Sequence, residues 1–552
     1  MSYKRTVFFS VFLFSFFFIQ ESFAQLKFLI EDFEGCAEGH SDSDNKLNGF
    51  FAYGNVKASV VLQHSSPDYI GQRFLQLNKG TSAVFGGWGK AVGSYVELAL
   101  QTDYLNFFFQ SKANTIPVKI QIQEDDNGNG TFDKEFDDVW EFTDLIKSGT
   151  TDLPWTLESL ALSAFTDNNP GGDGVFNVSY KQGKLLCLIF SFKDNSNHKE
   201  EIPVNCFIDF ICFSKGKLPT GNPVVGLPDF SVNAHCSLGI WSKEGVTADF
   251  IDIANGFQKS FKNKSDKRLA VVHFFLPLAV DGSTSLNNFP EPSGINKIIK
   301  RGYLPMITLE DYFVNVRPRV KQPNLYSIVE GHFDSFFKQW AHEIKKVNGL
   351  VLLRLLHEFN GDWYPWCISK NNNDPELLAK AFRHIHTIFT EQQVNNVKYI
   401  WCPNSISFPQ ESWNFIMDAY PGDEYVDFVG LDIYNGAGQE MPVWRSFRKE
   451  GIENYFILTE KLPHKPLLVC EVASRERQKK EPAGSQSKAE WIEQMSIALQ
   501  TDMSNVKLIS WFNEKESFRI NSSVESRDAY IKFILNNEYF KSGTGFIEAL
   551  LK

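Results

Sequence analysis

The segment Arg354-Leu355-Leu356-His357-Glu358-Phe359-Asn360-Gly361-Asp362-Trp363-Tyr364-Pro365-Trp366 concentrates residues that could do chemistry. An apolar run, Val351 to Leu353, leads into Arg, His and Glu and then into a turn dense with aromatic rings. A carboxyl group at the end of a buried strand is desolvated, so it can hold a proton near neutral pH and deliver it to a leaving group. Glu471 ends a second apolar run, Leu467 to Cys470. Two carboxyl groups facing one cleft are the machinery of glycosidic hydrolysis, and flat indole rings give sugar rings an apolar face to stack on. A plain core strand entering a wet loop would explain the apolar run but not the ionisable cluster before so many rings.

Eight short apolar segments could position these acids: Ser237–Trp241, Ala270–Phe275, Leu304–Leu309, Leu350–Leu356, Lys398–Cys402, Phe428–Ile433, Leu467–Glu471 and Lys507–Phe512. Amphipathic stretches such as Phe333–Val347, Glu376–Phe389 and Lys488–Leu499 lie between them, with Val524–Leu535 after the last. That alternation is the signature of an α/β fold, a (β/α)8 TIM-type barrel, with Glu358 and Glu471 at the catalytic, C-terminal rim. A doubly wound sheet would want a Gly-rich phosphate loop after its first strand, and the sequence has none there. Strand alternation places Arg354, Leu356 and Glu358 on one face, and Leu467, Val469 and Glu471 on one face, which turns Cys470 toward the helix layer.

Before the barrel the rhythm is all-β. Segments at Ser59–Leu62, Tyr95–Leu98, Leu105–Phe109, Val118–Gln123, Leu185–Phe192 and Cys206–Phe213 are separated by Gly, Asn and Asp clusters, which predicts a β-sandwich over residues 25–215. A Pro/Gly linker over 216–228 then precedes the catalytic domain at 229–552, implying two separate cores. Residues 1–24 read as a signal peptide, with Lys4 and Arg5 ahead of the apolar Val7–Ile19 and cleavage after Ala24. The expectation is a secreted protein with no membrane span once processed. The 552 residues, 43% hydrophobic and 14% aromatic, suit two domains, and a net charge of −11 argues against a nucleic-acid partner. The eight cysteines lack metal-type spacing, and Cys187, Cys212, Cys402 and Cys470 sit in apolar runs as buried thiols.

The segment from about Asp229 onward resembles glycoside hydrolase family 26. The resemblance rests on His357-Glu358-Phe359-Asn360-Gly361 with Trp363-Tyr364-Pro365-Trp366, on Trp401-Cys402-Pro403-Asn404, on Tyr420 to Asp427 with Gly430-Leu431-Asp432-Ile433-Tyr434-Asn435, on Glu471, and on Trp511-Phe512-Asn513. It implies a retaining hydrolase with Glu358 as acid/base and Glu471 as nucleophile. It further implies that His357 contacts the sugar, that Tyr434 hydrogen-bonds Glu471, and that Trp511 is the stacking surface. Arg354 would lie beneath the acids and support an ionised Glu471. Trp363, Trp366 and Trp401 are candidate substrate-binding rings, though aromatics after strands also plug barrel tops. Asp432 is either a site residue or a buried hydrogen-bonding one, and Glu310 and Asp311 either line the cleft or are solvated.

The family is dominated by β-1,4-mannanases, so β-mannan is the first expectation for the β-linked polysaccharide substrate. The Trp363-Tyr364-Pro365-Trp366 form and the Gly430–Asn435 strand also resemble the glucanase branch, leaving mixed-linkage β-1,3-1,4-glucan or β-xylan open. A non-catalytic glycan-binding protein is the reading from another class, and it leaves two matching acids unexplained. A monomer needing no cofactor for bond cleavage is expected, with no metal in the active site.

The sandwich resembles carbohydrate-binding modules, with Trp88, Trp140 and Trp155 either a glycan platform or core. Its Asp125, Asn127, Asn129, Gly130 and Asp133 follow the start of an EF-hand-like calcium loop, but Phe136 stands where the closing Glu belongs. An acidic Asn-Gly hairpin without an ion explains the same residues. Glu34 and Asp209 offer a second possible ion site.

Overall fold

The computed structural model describes residues 24–39, 49–62, 70–80, 86–111, 115–147, 155–192, 204–218, 235–241, 261, 265–280, 292–314, 322–436, 444–478, 481, 484–514 and 516–550. The signal-peptide expectation for 1–23, the linker beyond residue 218 and the side chain of Asp311 lie outside the described residues.

The N-terminal strands are β1 (Gln25–Glu31), β2 (Phe50–Tyr53), β3 (Val56–Leu62), β4 (Arg73–Lys79), β5 (Gly86–Ser94), β6 (Asp103–Ser111), β7 (Thr115–Glu124), β8 (Val139–Lys147), β9 (Thr156–Ala161), β10 (Thr166–Asp167), β11 (Leu185–Phe192) and β12 (Val204–Lys215). They form two sheets, β3-β4-β12-β6-β9 with β1 on β12, and β10-β8-β7-β11-β5-β2. Alternating side chains of both sheets, among them Phe107, Phe109, Ile120, Ile122, Leu188 and Phe190, fill the space between. Trp88, Trp140 and Trp155 are all buried, so the core reading holds and no platform forms from them.

The expected strand at Tyr95–Leu98 is absent; β5 precedes it. The glycines of β5, which masked it in the sequence, allow close strand approach. A Cβ on Gly89 would stand 2.3 Å from the Phe51 ring, and one on Gly87 2.4 Å from the Phe190 carbonyl oxygen. Glycine, which reads as a turn signal in sequence, is here what lets the strands close up.

The barrel strands are β13 (Cys236–Trp241), β14 (Val271–Val280), β15 (Leu304–Val314), β16 (Val351–Leu355), β17 (Val397–Trp401), β18 (Phe428–Asn435), β19 (Leu467–Ser474) and β20 (Val506–Phe512). All pair in parallel and in chain order, and β13 closes the ring by pairing with both β14 and β20. Each expected strand is therefore present. The helices between them start at readable caps: Asp374 before Pro375–Glu391, Ser446 before Phe447–Lys461, and a Ser487/Glu490 capping box before Lys488–Gln500. Among the described residues, no helix is long and apolar enough to cross a membrane.

Two features correct the sequence reading. First, Cys470 does not face the helices. It joins Met306, Leu352, Ile400, Cys402, Leu468 and Leu508 in the barrel interior, whereas Leu467 and Val469 pack in the helix layer. A bulge explains this: Leu431 pairs with Val469, but Asp432 pairs with Glu471, so β19 carries one extra residue at Cys470. Cys470 and Glu471 then both point inward, a change of face that uninterrupted alternation cannot give.

Second, the two units are not independent: the sandwich keeps its own core between its sheets, but its outer face joins the barrel's apolar cluster. Leu26, Leu29, Phe210 and Cys212 of the sandwich belong to the same apolar cluster as Ile452 and Phe456 of the helix Phe447–Lys461. That helix is covered on two sides, by β18 and by β1. Polar contacts reinforce the join: Lys449 Nζ meets Glu31 Oε2 at 2.6 Å, and Arg73 Nε donates to the Gly484 carbonyl at 2.7 Å. At Glu34 the positive charge comes from Arg73, whose Nη1 lies 2.9 Å from Oε2, while the amides of Gln72 and Arg73 donate to Oε1. All eight cysteines are buried and unbridged.

Candidate active site

β16 ends at Leu355, and the chain turns sharply, with φ of 49° at Leu356 and 52° at Glu358. Left-handed backbone at non-glycine residues costs about 1–3 kcal/mol each and must be held by its surroundings. The restraints are visible. The Glu358 amide donates to the Cys402 carbonyl at 2.8 Å, and Asn360 and Asn404 exchange side-chain and main-chain hydrogen bonds at 2.7 and 3.0 Å. The turn presents the Glu358 carboxyl to two donors, Trp363 Nε1 on Oε2 at 2.7 Å and Asn404 Nδ2 on Oε1 at 3.1 Å. Burial, then the neighbouring charge of Glu471, pushes Glu358 up to about 7 against the pull of Arg354 and these donors. Glu358 is thus a carboxylic acid able to give its proton near neutrality.

The bulge in β19 delivers Glu471 to the same rim. Its Oε1 accepts from Arg354 Nη2 and its Oε2 from the Tyr434 hydroxyl. Arg354 is fully buried and spends its remaining donors on Asp432, at 2.7 and 2.5 Å from Nη1, and on Thr308 Oγ1, 2.7 Å from Nε. Burial opposes its charge, but Asp432 and Glu471 outweigh that, and its pKa rises above the ordinary value. The Thr308 hydroxyl, which accepts from Arg354, also lies 2.7 Å from His273 Nε2. Burial, then the Arg354 charge, holds His273 and His357 well below their usual pKa, so both are neutral.

The predicted site residues divide. The fold brings Glu358, Glu471, Arg354, Tyr434 and Trp363 together. It does not bring in three tryptophans. Trp511 is fully buried on the helix side of β20, packed against Trp491 and Tyr530, with its Nε1 donating to the Phe518 carbonyl. Trp366 is fully buried, stacked on Tyr364 at 4.4 Å and hydrogen-bonded to the His357 carbonyl. Trp401 is buried between Phe359 and Tyr420. In each case strand alternation or turn geometry sends the ring into the packed layer. His357 is also fully buried, among Phe275, Tyr364 and Trp366, with neither ring nitrogen bonded to protein. Glu310 is half-buried.

The rings left at the mouth are Trp363, 43% exposed, and the half-buried Phe275, Tyr364, Tyr434 and Phe512. Phe512 contacts Phe275, Trp241 and Tyr434, so the last strand contributes its phenylalanine where the tryptophan beside it was expected. Sequence reasoning also missed Asn404, Thr308 and His273. Asn404 stood in a quoted motif, but nothing local shows that its amide reaches Glu358. Asp432, left open between two roles, is the buried partner of Arg354.

Residues 315–454 match the sequence model of glycosyl hydrolase family 26. The chain is 31% identical over 317 residues to endoglucanase H of Acetivibrio thermocellus, covering 56% of this chain and 32% of that protein. It is 32% identical over 97 residues to a mannan endo-1,4-beta-mannosidase of Bacillus subtilis, covering 17% of this chain and 25% of that one. The chain thus spans a third or less of the length of these two relatives. Among solved structures, the Podospora anserina GH26-CBM35 β-(1,4)-mannanase covers 92% of this chain and 100% of its own, at 13% identity and a TM-score of 0.40. The Bacteroides ovatus β-mannanase BoMan26A covers 56% of this chain and 91% of its own, at 18% identity and a TM-score of 0.40.

Proposed function

We propose that the barrel of this chain, whose residues 315–454 match the glycosyl hydrolase family 26 model, is a catalytic domain of that family and that the protein is a retaining endo-β-glycanase acting by double displacement. The observation that carries the reading is the pair of unlike carboxyl environments. Glu358 is buried and protonated up to about pH 7, while Glu471 is cradled by a cation and a hydroxyl donor. In the first step a Glu471 oxygen bonds to the anomeric carbon, the bond to the leaving oxygen breaks, and the Glu358 proton passes to that oxygen. In the second step Glu358 takes a proton from water as the water oxygen displaces Glu471, which regenerates both groups. Trp363 and Asn404 stabilise the carboxylate form that Glu358 takes between the two steps.

For the substrate we propose a mixed-linkage β-glucan. The similarity to an endoglucanase runs over 317 residues, and the Trp363-Tyr364-Pro365-Trp366 motif points the same way. β-Mannan is the second reading, favoured by the mannosidase relatives matched over shorter stretches. Incubation with mixed-linkage glucan, β-mannan, xylan and cellulose, with product sizing, tests this. Oligosaccharides released fastest from mixed-linkage glucan support the proposal, and faster release from mannan reverses the order. No cleavage of any of the four by folded protein removes the enzymatic reading.

A further inference from the structure

The turn after β7 and the start of β8 gather carboxyl groups that the catalytic reading does not use. Glu124, Asp126 and Asp138 bring one carboxylate oxygen each to within 4.8 Å of one another. Glu124 and Asp138 are fully buried. No lysine or arginine pairs with any of the three among the described residues. Each carboxylate has one or two donors: Trp140 Nε1 at 2.6 Å and the Asn177 amide at 3.0 Å on Glu124, the Asp138 amide at 2.8 Å on Asp126, and the Gly174 amide at 2.8 Å on Asp138. The second oxygens of Asp126 and Asp138, and Oδ1 of Asn177, are buried with no hydrogen-bond partner. One oxygen from each of the three carboxylates converges, Asp126 and Asp138 each keep a buried oxygen with no hydrogen-bond partner, and a hard divalent cation is the ligand that satisfies such a cluster.

We propose that Glu124, Asp126 and Asp138 form a calcium site that staples the segment 173–183, whose Gly174 and Asn177 amides donate to Asp138 and Glu124, to the β7–β8 end of the sandwich. The site differs from the loop foreseen in the sequence. There, Asp125 Oδ2 accepts from the Gly130 amide, Asn127 from Asn129, Asn129 from Thr131, and Asp133 from Glu135, so these side chains cap their own hairpin. Asp137 ties that hairpin from inside through the amides of Asp126, Asn127 and Asp133, while Phe136 is exposed. The acceptors that converge are the alternate residues, on the other side of the turn.

The staple has a consequence for the barrel. The segment it holds contains Tyr180, whose hydroxyl donates to Glu453 and whose ring lies 4.6 Å from Phe415, and Lys181, which pairs with Asp418. Calcium would therefore fix one contact between the sandwich and the barrel.

Full-length protein stripped with chelator and titrated with Ca2+ tests the site by calorimetry and by thermal melting. Tb3+ adds a direct probe, since Trp140 touches Glu124 and would sensitise its emission. The expected result is saturable binding, a higher Tm with Ca2+, and Tb3+ emission that Ca2+ quenches. Asp138→Asn and the half-buried Asp126→Asn should each weaken binding about tenfold or more, while Asp133→Asn should leave it unchanged. No heat and no Tm shift in the wild type would overturn the proposal. So would binding lost in Asp133→Asn but retained in Asp126→Asn, which would put the ion in the hairpin.

Discussion

The indole nitrogen of Trp363 donates to Oε2 of Glu358 at 2.7 Å, across a turn in which Glu358 itself has a φ of 52°. The strained turn and the hydrogen bond belong together. Left-handed backbone swings the acid away from the line of β16 and under the indole, so a residue five positions later can hold it. The consequence is a carboxyl group that is desolvated yet oriented, poised to lose and regain one proton.

The pH dependence follows from that environment. In the proposed acid role Glu358 has to be protonated for the bond to break, and its pKa is raised to about 7 by burial first and by Glu471 second. kcat/KM should therefore hold below pH 7 and fall as pH rises through 7. A pH–rate profile checks this; an alkaline limb near the ordinary carboxylate range would contradict it.

Trp363→Phe keeps the ring but removes the donor. That hydrogen bond lowers the Glu358 pKa, so its loss should move the alkaline limb upward by roughly one unit, a hydrogen bond to a charged group being worth about 1.5–3 kcal/mol. The same profile measured on the variant reads the shift directly, and an unmoved limb would deny Trp363 this role.

Arg354 and Asp432 are both fully buried; Asp432 accepts on both oxygens from one guanidinium nitrogen and on Oδ1 also from Cys402 Sγ at 3.4 Å. Asp432→Ala leaves a buried cation short of a partner and should destabilise the protein by about 3–5 kcal/mol. Denaturant unfolding measures it. Tyr434→Phe, which loses only the hydroxyl on Glu471, should melt close to the wild type yet lose much of its activity.

Much of the fold was legible because its signals are local. Apolar runs of strand length, capped amphipathic helices and the spacing between them marked all eight barrel strands, and motif context marked Glu358, Glu471, Arg354 and Tyr434. What was missed depends on partners distant in sequence. The bulge at Cys470 changes which residues of β19 face inward, and nothing in Leu467–Val472 marks it. Trp511 looked like a stacking surface because its type is right, but its register turns it into the helix layer and leaves Phe512 at the mouth. The Pro/Gly linker suggested independent units, yet Leu29 and Phe210 on the outer face of the sandwich pack in one cluster with Phe456.

That shared cluster argues against the barrel folding alone. A chain beginning at His235 would bare the apolar surface of the helix Phe447–Lys461 and leave Lys449 without Glu31. It should be poorly soluble and melt well below the full chain. Soluble expression with an unchanged Tm would show that the contact is dispensable.

The most direct test is to trap the glycosyl-enzyme. A 2-deoxy-2-fluoro glycosyl fluoride built on the glycan the protein cleaves should slow the second step and leave a covalent adduct, located by peptide mass mapping. One sugar equivalent on Glu471, absent in Glu471→Ala, is the predicted result. A label on another carboxylate, or no adduct together with products of inverted anomeric configuration, would contradict the assignment of Glu471 as nucleophile.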